Sequence, residues 1–129
     1  MPDKPIVERL MPSFEEDLAV HNTLVAQLVQ QLSVGDFEGA LRSAPRSRVN
    51  AEQIRSSVQQ YGRTLVPLTA ESYELIDYVV VLGSSPLAWS VVVPLFTKEE
   101  GRSDLSLELS IVEQAVGGHH IEIDDIRVR

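Results

Sequence analysis

The sequence contains no cysteine, which excludes disulfides and thiolate metal sites and leaves no positive sign of an oxidising compartment. Positive charge is scarce as well: 11 Lys and Arg stand against 19 Asp and Glu, for a formal net charge of −8. An acidic surface repels phosphate backbones and anionic headgroups, so neither nucleic acid nor a membrane surface is an expected partner. Arg42, Arg46 and Arg48 form the one basic cluster. No apolar run approaches the roughly 18 residues of a membrane helix. The opening MPDKPIVERLMP carries charges and prolines at 2, 5 and 12, with no apolar core of signal-peptide length. A cytoplasmic protein is the default expectation. The glycines form no nucleotide-binding fingerprint, and no serine sits in a recognisable nucleophile elbow. There is no internal repeat, linker or low-complexity segment.

What is present fits one ordinary domain. The chain has 129 residues, 43% hydrophobic and 23% charged, enough to bury a core. Residues 1–12 read as a flexible tail because prolines block regular structure there, and 13–129 as a single domain. Ser13 and Glu16 fit a capping box that opens a helix. Phe14, Leu18, Val25, Leu28, Val29 and Leu32 continue it at amphipathic spacing until Gly35. Asp36 caps a short second helix, and Asn50 with Gln53 opens a third that Gly62 stops. Thr64–Leu68 is extended around Pro67.

From Tyr73 onward the pattern is strands: Tyr73–Leu82, a hairpin within Ala88–Ile111 turned at Glu99-Glu100-Gly101, and His119–Val128 after Gly117-Gly118. Alternation pairs Leu95 with Leu105, Val93 with Leu107, Val91 with Leu109 and Trp89 with Ile111 on one buried face. Ile121 and Ile123 differ in parity from Ile126 and Val128, which a β-bulge at Asp124-Asp125 would reconcile. Past the bulge, Glu108 is expected opposite Arg127. Helices followed by an antiparallel four-stranded meander make an α+β fold.

Gly35-Asp36-Phe37 between the first two helices, ahead of a curved sheet, resembles the cystatin-like superfamily, and within it the nuclear-transport-factor-like branch. Trp89-Ser90-Val91, Thr97, Glu99 to Leu105 and Glu122-Ile123-Asp124-Asp125 are similar to a family of small stand-alone bacterial domains of uncharacterised function. The resemblance covers residues 13–129. It implies a cone with a small-molecule pocket at its wide mouth and dimerisation through the outer sheet face. Enzymes of the superfamily place an Asp–His or Tyr–Asp set inside the cone, which no residues here match one by one.

Asp77 is the acid of most interest. If Tyr73, Leu75, Val79 and Val81 face inward it points into an apolar cone, where burial would tune it as a base, with Tyr61 or Tyr78 as donor. The cleaner alternation, Ile76, Tyr78, Val80 and Leu82, leaves Asp77 in solvent. His120, Glu122 and Asp124 share a strand face; a solvated face is preferred there over metal binding, and no metal or cofactor is expected. Arg102 and Asp104 flank the hairpin turn, either satisfying its amides or holding a carboxylate ligand or partner. Tyr61, Tyr78 and Trp89 either pack in the core or line a pocket. Val92, Phe96 and Val112, with Pro94, form an apolar patch on the outward face, covered by the tail or by Thr64–Leu68, or else an interface; a homodimer is the preferred partner. Two functions remain open: a non-catalytic, self-associating binding domain, or a small cone-type enzyme, isomerase- or hydrolase-like, working by proton transfer.

Overall fold

The computed structural model describes the backbone of residues 6–129 and the side chains from Leu18 onward. Four helices precede a four-stranded antiparallel sheet: α1 (Ile6–Ser33), α2 (Phe37–Ser43), α3 (Ala51–Tyr61), α4 (Ala70–Leu75), then β1 (Asp77–Val80), β2 (Ala88–Thr97), β3 (Gly101–Glu113) and β4 (His119–Val128). The strands lie in chain order, β1-β2-β3-β4. The fold is α+β, as the sequence predicts.

Two expectations about elements are corrected. α1 does not start at Ser13; it already runs from Ile6. Pro12, inside the helix, removes one amide and crowds the carbonyl four residues back without ending it, and apolar residues in the upstream sequence keep helical spacing. The proposed Ser13–Glu16 box and coverage of the sheet by the tail fall outside the described side chains. The second correction is at Tyr73–Leu82, where the first strand begins only at Asp77 because 70–75 is helical. Thr69 accepts from the Ser72 amide, and the Ser72 hydroxyl accepts from the Thr69 amide. That reciprocal cap uses serine where glutamate or glutamine usually signals it.

Elsewhere the local signals hold. The Asp36 carboxylate accepts from the Gly39 amide at 3.0 Å. Asn50 and Gln53 form a complete capping box, and Gly62 ends α3 in the left-handed region at φ 73°.

The core is one layer of helix against one face of the sheet. Val25, Leu28, Val29 and Leu32 of α1, Phe37 and Ala40 of α2 and Ile54 of α3 cover Trp89, Val91, Val93, Leu95, Leu105, Leu107, Leu109, Ile111, Ile121, Ile123 and Ile126. Burying each such side chain contributes about 1.5–3 kcal/mol, so this face sets the register. Trp89 pairs with Ile111, Val91 with Leu109 and Val93 with Leu107.

The expected Leu95–Leu105 pair is replaced by a bulge, since the register shifts between Pro94 and Phe96. Ser103, buried in the bulge, donates to the Leu95 carbonyl at 2.8 Å and accepts from the Leu105 amide at 3.1 Å. The hydroxyl thus replaces ladder bonds that Pro94, lacking an N–H, cannot extend.

The second bulge is where the parity of the isoleucines requires it, with Leu109 opposite Ile123 but Glu108 opposite Asp125. Arg127 lies opposite Ser106, not Glu108, yet its Nε reaches the Glu108 carboxylate diagonally at 2.8 Å.

Candidate functional site

Chemistry-bearing side chains gather at the two ends of the sheet. The hairpin end is a clasp. Lys98–Glu100 turns the chain, and Gly101 adopts φ 75°, a left-handed conformation that suits glycine. The Thr64 amide and hydroxyl each donate to the Glu99 carboxylate at 2.8 Å. Those bonds hold the Glu99 carboxyl below its usual range. The Tyr61 hydroxyl donates to Glu100 at 2.9 Å and accepts from the Asp104 amide at 3.1 Å. Thr97 donates its hydroxyl to the same glutamate at 3.1 Å. The turn therefore ties α3 and the extended segment 64–66 to the sheet, and Leu65 bridges to Thr97.

The opposite end is a cluster of rings on the helix side of the sheet. His21 of α1 is 2% exposed. Its ring centroid lies 4.4 Å from Trp89, 5.0 Å from His119 and 5.6 Å from Tyr78. The Tyr78 hydroxyl donates to Asn22 at 2.6 Å. His21 Nε2 is buried and meets no hydrogen-bond partner. Burial, followed by the neighbouring His119, pushes its pKa from 6.5 down to about 4. Burial also pushes the Tyr78 hydroxyl well above its ordinary value. At neutral pH both groups are uncharged. Chemically, the pair offers a neutral imidazole beside a phenol, the ingredients of proton transfer in a dry setting.

The outer face of the sheet is different again. Glu108 accepts from Arg127 at 2.8 Å and from Arg129 at 3.0 Å. Partial burial opposes its charge, but the two arginines outweigh that and lower its pKa. Asp124 accepts from Ser110 at 2.6 Å, with Arg48 at 3.5 Å, and burial raises its pKa. His120 Nε2 is 2.8 Å from Glu122. No group of three or more His, Cys, Asp or Glu among the described residues could hold a metal ion. A groove of about 340 Å³ runs between Asp77, Val92, Arg102, Asp104 and Arg129.

A family model described as a domain of unknown function, DUF7668, matches residues 29–129. The chain belongs to the DUF7668 family. Comparison with curated proteins and with solved structures finds no match. The DUF7668 segment takes in the whole clasp and sheet, with Tyr78, Trp89 and His119, but starts after His21 and Asn22.

Within the DUF7668 fold the three candidate catalytic residues do not converge. Asp77 is exposed and shares the outer face with its partner Val92, so it points away from the helices. Tyr78 alternates to the opposite face, and Tyr61 is held in the clasp at the other end. Trp89 is a core residue at 2% exposure, in ring contact with His21. Arg102 and Asp104 are exposed, and both line the groove.

Of the interface candidates, Val92 and Val112 are half-buried, but Phe96 is 6% exposed and buried within the chain itself. The extended segment runs alongside it, with the Val66 amide donating to the Phe96 carbonyl at 3.1 Å.

Sequence reasoning missed His21 and His119 as a pair. One lies on a helix and the other follows a Gly-Gly turn 98 positions later, and only the paired register of β1 to β4 brings them together. The one local signal was a histidine at core spacing, seven before Leu28 and four before Val25.

Proposed function

We propose that this domain is a non-catalytic module that self-associates through its sheet and presents its remaining surface to a partner or ligand, in the cytoplasm and without nucleic acid or membrane. The observation that carries this reading is an apolar patch at the β1 end of the outer sheet face, beside the charged groups of β3 and β4. Val79 and Val81 are 52% and 41% exposed there, with the half-buried Val92 on β2 and Val112 on β3 of the same face. Contiguous exposed apolar side chains mark contact surfaces. The carboxylates of the clasp and of Glu108 are engaged in structural bonds, which supports a scaffold over a reaction centre. No helix among the described residues is long and apolar enough to cross a membrane. Helices packed on one face of a four-stranded meander support the likeness to the cystatin-like superfamily and its nuclear-transport-factor-like branch, and residues 13–129 as its single domain. Sedimentation velocity on the wild type tests the reading: a dimer is expected, and Val79→Glu should shift it to monomer with the fold intact. A wild type that stays monomeric at every concentration overturns it.

A second reading, the small cone-type enzyme, is favoured by one observation, the unpartnered buried His21 beside Tyr78. It moves the base from Asp77 to His21 and keeps Tyr78 as donor. Trp89, edge-to-face with His21, reports occupancy by its fluorescence. Saturable quenching by small carbonyl compounds, lost in His21→Phe, is expected; no saturable change across a panel of ketones and esters removes this reading.

A further inference from the structure

The two edges of the sheet are finished in opposite ways. Along β4 the edge is capped at its middle, at Ile123. The Arg48 amide donates to the Ile123 carbonyl, and the Ser47 hydroxyl accepts from the Ile123 amide, both at 2.8 Å. A bulge at Asp124-Asp125 twists that strand, and Arg127 and Arg129 add charge to it. These are the devices by which sheets avoid pairing with another chain. The upper half of the β2 edge is closed by segment 64–66.

β1 has none of them. From Ile76 to Leu82 the sequence is IDYVVVL, with no proline, lysine or arginine and one charge, Asp77. The Val81 amide donates to the Ala88 carbonyl at 2.9 Å. Odd-numbered residues of β1 therefore face the β2 ladder, and the amides and carbonyls of Tyr78 and Val80 turn outward. Among the described residues no backbone bond reaches that side. Beside it Tyr73 and Leu82 are 37% and 91% exposed.

We propose that the free edge of β1 pairs antiparallel with β1 of a second copy, joining two sheets into one of eight strands. The inference rests on the self-association reading above and names its geometry. A two-fold axis at Val79 places Tyr78 against Val80 of the partner subunit, and each such pair exchanges two backbone bonds. Val79 then meets Val79 of the partner subunit on the outer face, and Asp77 lies against Val81 of the partner subunit. The single charge of the strand thus never meets its own copy. A four-residue strand is short of the roughly 800 Å² per partner of a stable interface. Tyr73, Val81 and Leu82 supply the apolar surface next to it. Two bodies each of charge −8 repel, so added salt tightens this dimer instead of loosening it.

The test is sedimentation of wild type and Val80→Pro over a wide concentration range, with hydrogen exchange at single-residue resolution. Proline at 80 removes an outward amide that the β1–β2 ladder does not use. The expected result is a wild-type dimer, a dimer at least about tenfold weaker in Val80→Pro with the far-UV circular dichroism unchanged, and slower exchange at Tyr78 and Val80 as dimer accumulates. If Val80→Pro fails to fold, the concentration dependence of those two amides decides alone. A dimer in which both amides exchange equally at all concentrations overturns edge pairing and leaves self-association standing. A monomeric wild type overturns both, and would leave the edge to an extended strand of another protein.

Discussion

At the Lys98–Glu100 turn both glutamates reach donors, on an exposed surface where water could have served them. At the other end of the sheet His21 is 2% exposed, and its Nε2 has no partner. The hairpin end keeps charged groups charged and uses them as fasteners. The ring end keeps titratable groups neutral by excluding water, and its contacts are aromatic. The first arrangement is cheap to break, because exposed pairs have water as a substitute. The second is sensitive to protonation, because a charge produced there cannot be solvated.

The largest effect should therefore come from acid at the ring end. The folded pKa of His21, about 4, lies below the 6.5 of an unperturbed imidazole. Between those values the unfolded chain binds the proton more readily. The stability associated with neutral His21 is thus full above pH 6.5 and declines as pH falls toward about 4, then levels off. At about 1.4 kcal/mol per pKa unit the loss reaches up to about 3 kcal/mol. His21→Phe keeps a ring against Trp89 and removes the titration. Urea unfolding of both proteins at several pH values should show the wild type losing stability across that window relative to the variant. Asp124, raised by burial, titrates in both proteins and cancels in the difference. Parallel profiles would mean that His21 is solvated in the folded state, and the contrast between the two ends would collapse.

The two ends were not equally legible in the sequence. The hairpin, its turn and the α+β layout rest on alternation and turn chemistry within some 25 residues, and the second bulge follows from the parity of four isoleucine and valine positions. Tyr61 as a clasp residue was invisible, since its partners Glu100 and Asp104 lie 39 and 43 positions away. α4 was hidden by a serine doing what glutamate usually does, which let Tyr73–Leu82 read as one strand. Phe96 alternates outward, as its position suggests, yet is buried because segment 64–66 runs along its strand. His21 carries only its core spacing as a local signal, and nothing local links it to His119. Short-range rules found the elements, and long-range register made the site.

The smaller effect belongs to the clasp. Tyr61→Phe removes a hydroxyl that donates to Glu100 and accepts from the Asp104 amide. Water can reach both groups once the hydroxyl is gone, so the expected cost is about 1 kcal/mol, a few degrees in Tm. The acid response of this end also lies in a different window. Glu99, held below its ordinary 4.5 by Thr64, contributes stability that is present above that value and lost as pH falls through the lowered one. Tyr61→Phe should leave the decline between pH 6.5 and about 4 as it is in the wild type. Chemical denaturation at neutral and acid pH checks both points. A cost above about 3 kcal/mol would show that the turn is desolvated after all, and that its glutamates resemble the buried groups at the far end more than surface fasteners.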